Sequence, residues 1–221
     1  MLGTTTNAGL HDFVVDGVLR RHAVRGVRAV DLGAGTGELA VRLQGLGCDV
    51  LAVDLNRNGY GADVPFVEQD LDQANFAESL GLEKFDLVTA IEVLEHVESP
   101  IGFLRNIGQL LKPEGIAVLT TPNVDSTPAR LKFLSRGTLR MMDAQSEPTH
   151  ISPIFWDLLQ RQYLPRARVR LVEHHLFPAR GFQLTRARYT WAMRGLSIFL
   201  GGECLTGDNH VLVLGRRENG E

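Results

Sequence analysis

Cysteine is nearly missing from this chain: Cys48 and Cys204 are the two in 221 residues. Two thiols build no disulfide framework, which excludes a small disulfide-stapled scaffold and fits a reducing compartment. Both are read as buried or half-buried thiols. Nowhere does an apolar run approach the ~20 residues that a membrane-spanning helix needs. The start, MLGTTTNAGLHDF, has no apolar stretch behind basic residues. It does not read as a signal peptide, and a cytoplasmic location is expected. No repeat and no low-complexity segment is visible.

What is present is an ordinary core-forming composition, 44% hydrophobic and 22% charged. That indicates one large domain, or one domain with an inserted cap. The net charge of −3 conceals an uneven distribution. Residues 1–125 hold 9 Lys/Arg against 18 Asp/Glu, and residues 126–221 hold 14 against 8, or −9 and +6. Such a split suits a basic surface for an anionic substrate, a nucleic acid or a membrane surface, or simply a well-solvated second part.

Apolar spacing at Leu10, Phe13, Val14, Val18 and Leu19 predicts a helix over 10–25. Next come strand signals at VRAVDLG, DVLAVDL, PFVEQDL, FDLVTAI and IAVLTTPN. Helix signals fall between them, at ELAVRLQGLG, ANFAESLGLE and PIGFLRNIGQLLKPEG, the last stopped by Pro113 and Gly115. The alternation predicts parallel βαβ units, and the near-continuous apolar strands agree with a sheet covered on both faces. After Asn123 the rhythm breaks into a basic, strandless stretch that reads as a cap. A helix at FWDLLQRQYL and strands at RVRLVEHHLF and HVLVLGRR follow. The apolar stretch YTWAMRGLSIFLGG between those strands is read as a cap, core or interfacial helix. The expected fold class is α/β, a doubly wound, mostly parallel seven-stranded sheet with a substrate cap inserted after strand 5. By this reading 1–26 is an N-terminal helix or lid, 27–123 the core, 124–165 the cap, and 166–221 the last strands with a helical insertion.

Directly after the first strand, AVDLGAGTGELA carries Gly33, Gly35 and Gly37. Glycines there allow a tight turn and a close backbone approach to a ligand. The spacing lacks the last small residue of the dinucleotide fingerprint, since Glu38 stands in its place, and it is not a Walker loop. Asp31, two residues before the first glycine, suits a cationic ligand better than a pyrophosphate. VDLGAGTG resembles motif I of class I S-adenosylmethionine-dependent methyltransferases. The acid closing LAVD, the acid in EQDLD, the motif FDLVTAIEVLEHV and the turn and strand LLKPEGIAVLTTPN resemble, in order, that family's remaining motifs. The likeness is close over roughly 25–125 and weak beyond it. It implies S-adenosylmethionine contacts at Asp31, Gly33, Ala34, Gly35, Gly37, Asp54, Leu55, Asp70, Leu71, Ile91 and Glu92. Asp54 would face the ribose hydroxyls, and Asp70 the adenine amino group with Leu71 beside it.

Three acids and an imidazole follow the fourth strand, in AIEVLEHVESP. If a helix begins there, Glu92, Glu95 and His96 share one face. The acids would then complement a helix dipole, line the methionine end of the cofactor, or hold a metal. EVLEHV with a later histidine resembles the ubiquinone-pathway O-methyltransferases. It is also similar, more distantly, to the small-RNA 3′-terminal 2′-O-methyltransferases, which use Mg2+ or Mn2+. That resemblance implies a cation on Glu92, Glu95, His96 and His150, which would lower the pKa of an acceptor hydroxyl. Without a metal, His150 and His96 are the general-base candidates. His11 and His22 read as surface or lid residues and His210 as structural, and one of His174 and His175 is expected to face the substrate.

The expected activity is methyl transfer from S-adenosylmethionine to an oxygen of a small molecule. An RNA 2′-O-methyltransferase and a non-catalytic cofactor-binding regulator stand as alternatives. No stacking-aromatic module favours RNA. Arg130, Lys132, Arg136 and Arg140 would meet an anionic substrate. Alternatively they form the wet face of a helix whose Leu131, Phe133, Leu134 and Leu139 pack inward, which is the preferred reading. Peripheral membrane contact and oligomeric state stay open.

Overall fold

Seven strands form one sheet in the order β3-β2-β1-β4-β5-β7-β6. They are β1 (Arg28–Leu32), β2 (Asp49–Asp54), β3 (Phe66–Glu68), β4 (Phe85–Ile91), β5 (Leu111–Pro122), β6 (Val169–Phe177) and β7 (Asn209–Arg216). This computed structural model describes residues 7–143, 148–183, 193, 195–196 and 203–217. β1 to β5 pair in parallel, and β7 inserts antiparallel between β5 and β6. The expected mostly parallel seven-stranded sheet is present.

Strand residues alternate between two apolar layers. Val30, Leu32, Val88, Ala90, Leu119, Leu212 and Leu214 face one layer, which also holds Phe76, Phe103, Leu104, Ile107 and Trp156. Ala29, Leu87, Ile91, Val118, Val211 and Val213 face the other, against Leu10, Val14, Val18, Leu19, Leu39 and Leu43. Both faces of each inner strand are therefore dry, which is why these segments read as continuous apolar runs.

The helices are α1 (Leu10–Asp12), α2 (Glu38–Gly45), α3 (Phe76–Leu80), α4 (Pro100–Leu110), α5 (Thr127–Arg136), α6 (Trp156–Leu158) and α7 (Leu164–Ala167). α1 continues through wider turns at Phe13–Val18 and a tight turn at Leu19–Arg21, then stops where His22 becomes extended. The first helical segment is thus shorter than the periodicity predicts. α4 starts with Ser99 Oγ accepting the Gly102 N–H at 3.2 Å and Pro100 in the first turn. It ends at Leu110, not at Pro113, because Leu111 already pairs with Phe85. Residues 112–115 bulge out of β5, where Lys112 meets the Asp86 carboxylate at 2.8 Å. A Cβ on Gly115 would lie 2.9 Å from the Phe85 carbonyl, so that bulge requires a glycine.

Beyond β5 the cap departs from expectation. Phe133 and Leu134 of α5 are 53% and 80% exposed, so two of the four residues expected to pack inward face solvent, while Leu131 and Leu139 are half-buried. Three of the four basic residues are instead tied inward, while Arg136 is exposed. Arg130 donates to the Asp125 carbonyl, Lys132 pairs with Asp143, and Arg140 pairs with the wholly buried Asp208 at 2.7 Å. Arg130 and Lys132 lie on α5 and Arg140 just beyond it, so polar contacts and not an apolar face hold this segment. The apolar stretch over 189–202 lies almost entirely outside the described residues.

Phe103 is buried and packs on Phe76 with ring centroids 5.8 Å apart. Phe103→Ala is expected to lower unfolding free energy by about 3–5 kcal/mol in urea denaturation, with an unchanged slope. A loss under about 1 kcal/mol would contradict this packing.

Candidate active site

β1, β4 and β5 end side by side, and a doubly wound sheet opens its ligand crevice at such carboxyl ends. At the end of β1, Asp31 is 2% exposed. Its Oδ1 accepts the Thr89 hydroxyl at 2.7 Å, and its Oδ2 has no hydrogen-bond partner among the described residues. Burial pushes this carboxyl up to about 7; the Thr89 bond pulls it down, and the Asp54 charge adds a smaller upward push. Asp31 is therefore a buried acid with one oxygen left unmet among the described residues.

The glycine loop comes next. Gly33 and Ala34 donate their N–H groups to the Val53 carbonyl at 2.8 and 3.0 Å, which pins the loop to the end of β2. Gly33 has φ 72°, and a Cβ there would lie 2.5 Å from Val93 Cγ2. Gly35 has φ 55°, yet nothing stands within 4 Å of the position its Cβ would take. One glycine makes room for the protein, and the next leaves room above the loop. Asp54 caps that loop: its Oδ2 accepts from Gly35 N and its Oδ1 from Leu55 N, both at 2.7 Å. A carboxylate has about four lone-pair directions, so this use does not exhaust it. Asp70 accepts from Asp72 N at 2.9 Å, Leu71 packs half-buried on the core, and Ile91 is buried at the end of β4.

No helix begins directly after β4. Glu92 has φ 55°, a left-handed conformation unusual outside glycine and asparagine, and residues 93–97 form a turn closed by the His96 N–H on the Val93 carbonyl at 2.9 Å. The first helical residue is Pro100. The dipole reading of these acids therefore falls, and Glu92 does not share a face with Glu95 and His96. Its carboxylate instead accepts from the Thr120 hydroxyl at 2.8 Å and from Asn209 Nδ2 at 2.8 and 2.9 Å. Glu92 N–H donates back to Thr120 Oγ1 at 3.0 Å.

Glu95, His96 and His150 do converge. One donor atom from each lies within 4.8 Å of the others, and Glu92 is outside the group. The Glu95 carbonyl accepts both the Ile151 and the Ser152 N–H, at 3.0 and 2.9 Å, which brings the cap segment back over the turn. His96 Nδ1 meets the Thr149 carbonyl at 3.1 Å, and His150 Nδ1 meets the Met141 carbonyl at 2.6 Å. A carbonyl only accepts, so each neutral ring carries its proton on Nδ1 and its lone pair on Nε2. His150 Nε2 lies 3.9 Å from Glu95 Oε1, and the two imidazole rings stand edge to face at 4.5 Å. The Glu95 and His150 side chains are buried, His150 at 5% exposure. Such a set can take a proton or hold a cation.

Several residues escape a sequence reading. Thr89, Thr120 and Asn209 fix Asp31 and Glu92, and their only signal is a polar residue inside an apolar strand. His210 packs with His174 under Trp156.

A family model described as a methyltransferase domain matches residues 9–187. A ubiquinone biosynthesis O-methyltransferase from Burkholderia vietnamiensis is 36% identical over 124 residues, covering 52% of this chain and 53% of that protein. The chain thus spans about half the length of the curated relatives it matches. Among solved structures, a SAM-dependent methyltransferase from Archaeoglobus fulgidus superposes with a TM-score of 0.60 at 16% identity, covering 93% of this chain and 94% of that one. A 1,6-didemethyltoxoflavin-N1-methyltransferase from Burkholderia thailandensis gives 0.58 at 16% identity, over 96% and 80%. At these identities the structural likeness establishes the fold.

Asp31 yields a pH prediction. Its folded value of about 7 lies above its unfolded value near 3.8, so its contribution is full below the unfolded value and is lost as pH rises through about 7. Ligand-free wild type should therefore lose up to about 4 kcal/mol relative to Asp31→Asn between about pH 4 and about pH 8. Parallel urea titrations of the two proteins measure this; a difference independent of pH would show that the carboxyl is not perturbed.

Proposed function

The chain belongs to the methyltransferase-domain family, and on that premise we propose that it transfers a methyl group from S-adenosylmethionine to a hydroxyl oxygen of a small molecule. The observation that carries this reading is the buried, cation-seeking carboxylate of Asp31 beside the open side of Gly35. Those residues fit the cofactor. Asp31 would hold its ammonium end, directly or through water, and Gly35 would let it approach the loop. Asp54 and Leu55 would meet the ribose, Asp70 and Leu71 the adenine, and Ile91 and Glu92 the edge of the methionine end. S-adenosylmethionine supplies a methyl group already activated on a sulfonium. What remains for the chain is to align the acceptor oxygen and remove its proton.

Glu95, His96 and His150 are proposed for that proton. The Nε2 lone pair of His150 or His96 would accept it, and the buried Glu95 carboxylate would stabilise the imidazolium that forms. The same three residues fit a divalent cation without Glu92. A set of one carboxylate and two imidazoles suits Mn2+ better than Mg2+, which favours oxygen ligands. Such a cation would act as a Lewis acid on the acceptor hydroxyl.

The acceptor proposed is a hydroxyl of a small molecule, a reading supported by curated relatives named as ubiquinone biosynthesis O-methyltransferases. The internal pairing of Lys132 and Arg140 takes two cations away from an anionic acceptor or an RNA. Among the described residues no helix is long and apolar enough to cross a membrane.

Labelled S-adenosylmethionine offered with fractions of cell extract and with catechol-type compounds tests the reaction. Label on one product together with S-adenosylhomocysteine is expected. Binding without turnover in every fraction would favour a non-catalytic regulator. By calorimetry, Gly35→Ala should bind S-adenosylmethionine at least about tenfold more weakly while losing only about 1 kcal/mol of stability from its φ.

His150→Gln should lower kcat by about 100-fold or more with little change in cofactor affinity. Activity lost in chelator and restored by Mn2+ assigns the metal role to the cluster. Full activity in chelator leaves it as the general base.

A further inference from the structure

A second cluster lies away from the proposed transfer site, on the opposite face of β7 from the Glu92 contact. Asn209 points to Glu92, and the next residue, His210, points into the layer beneath Trp156. We propose that His174, His210 and Cys204 form a binding site for a divalent metal of borderline softness, with Zn2+ as its probe. One donor atom from each residue lies within 4.8 Å of the others. Four-coordinate zinc places such atoms about 3.3–3.8 Å apart, so side-chain rotation covers the difference. His174 Nε2 and His210 Nδ1 are 3.0 Å apart, so the His210 ring meets its neighbour through Nδ1 and has Nε2 left for a cation.

Three features support the site. His210 is wholly buried, yet its Nε2 has no hydrogen-bond partner among the described residues. Native interiors seldom leave such an atom unmet, and a cation gives it a partner. A neutral imidazole has one ring lone pair to give a metal, and the His174–His210 contact sets which nitrogen of His210 is left to give it. The donors are also held in place. His174 stacks on Trp156 with centroids 3.8 Å apart, and Trp156 Nε1 donates to Glu203 at 2.6 Å. The Cys204 carbonyl accepts from Asn123 Nδ2 at 2.8 Å.

Two imidazoles and a thiolate form a nitrogen–sulfur set that favours zinc-like cations over Mg2+ or Ca2+. The thiol is pushed up to about 12, chiefly by burial and then by the Asp125 and Glu203 charges. The cation must therefore displace the thiol proton, which leaves to solvent as the metal–sulfur bond forms. A cavity of about 440 Å3, lined by His174, Glu203 and Cys204 and reaching Phe13 and His175, borders the cluster. It leaves a fourth coordination position for water or an anionic ligand group, the pattern of an open rather than a closed zinc site.

Cobalt tests the assignment, because thiolate coordination gives Co2+ a charge-transfer band in the near ultraviolet. The full chain, stripped with chelator and dialysed, is titrated with Co2+ and then with Zn2+. The expected result is a stoichiometric thiolate band with intense visible bands, displaced by Zn2+, with proton release. Cys48 and Cys204 are the two cysteines in the sequence, so Cys48→Ala should keep the band and Cys204→Ser should abolish it. Cys204→Ser should also weaken Zn2+ by roughly a hundredfold or more. If Cys204→Ser fails to fold, the Cys48→Ala spectrum alone decides. His174→Gln, a change near the sheet edge, should keep the fold and weaken Zn2+ similarly. Visible bands without a thiolate band would place the metal at Glu95, His96 and His150 and overturn the proposal. So would a band lost in Cys48→Ala, or no Co2+ binding.

Discussion

Glu92 is where three strand ends are tied together. It closes β4, its carboxylate takes the Thr120 hydroxyl from β5 and the Asn209 amide from β7, and its own N–H returns to Thr120. A non-glycine residue at φ 55° costs on the order of 1–3 kcal/mol. Hydrogen bonds to a charged group contribute about 1.5–3 kcal/mol each, so the contacts from Thr120 and Asn209 outweigh the strain. The bend at Glu92 then directs the residues after it. Val93 is driven against Gly33, where no side chain fits. The Glu95 carbonyl is presented to Ile151 and Ser152, and with them comes His150. Glycine loop, turn and cap thus depend on one strained carboxylate.

The same region keeps two carboxylates for opposite ends. Glu92 is held by the Thr120 hydroxyl and the Asn209 amide and so acts as a fixed strut. Asp31 has one donor and one unmet oxygen in a dry place, which costs stability in the free protein. Binding sites commonly hold such an unmet group, since a ligand that satisfies it gains differential affinity. The difference between the two acids comes from neighbours across the sheet: Thr89 reaches Asp31 alone, while Thr120 and Asn209 both reach Glu92.

Local features are legible in the sequence. Apolar strands separated by helical spacing indicate the sheet, and the glycine loop after β1 indicates the proposed cofactor end. The convergence of Glu95, His96 and His150 comes from resemblance, because the return of His150 rests on backbone bonds between distant segments. Periodicity misplaces Glu92 onto a helix face, since one left-handed φ leaves no mark in it. Thr120 and Asn209 lie on antiparallel strands far apart in sequence, and no local window joins them. α5 misleads for a related reason. Phe133 and Leu134 suggest an inward face, but the buried Arg140–Asp208 pair and the Lys132–Asp143 pair hold the cap so that these two face solvent. A desolvated ion pair left half-made is far costlier than an exposed leucine, so the pair wins.

β7 links the two histidine clusters through its first two residues. Asn209 braces Glu92 and hence the turn that carries Glu95 and His96; His210 belongs to the group with His174 and Cys204. The donor sets differ in one ligand, a carboxylate in the first and a thiol in the second. A carboxylate with two imidazoles takes cations of moderate hardness or simply a proton, whereas a thiolate with two imidazoles selects borderline and soft ones. The two sites would therefore sort different cations from a common pool, and a metal in one need not occupy the other. A metal on His210 would stiffen the start of β7, and with it the amide that holds Glu92.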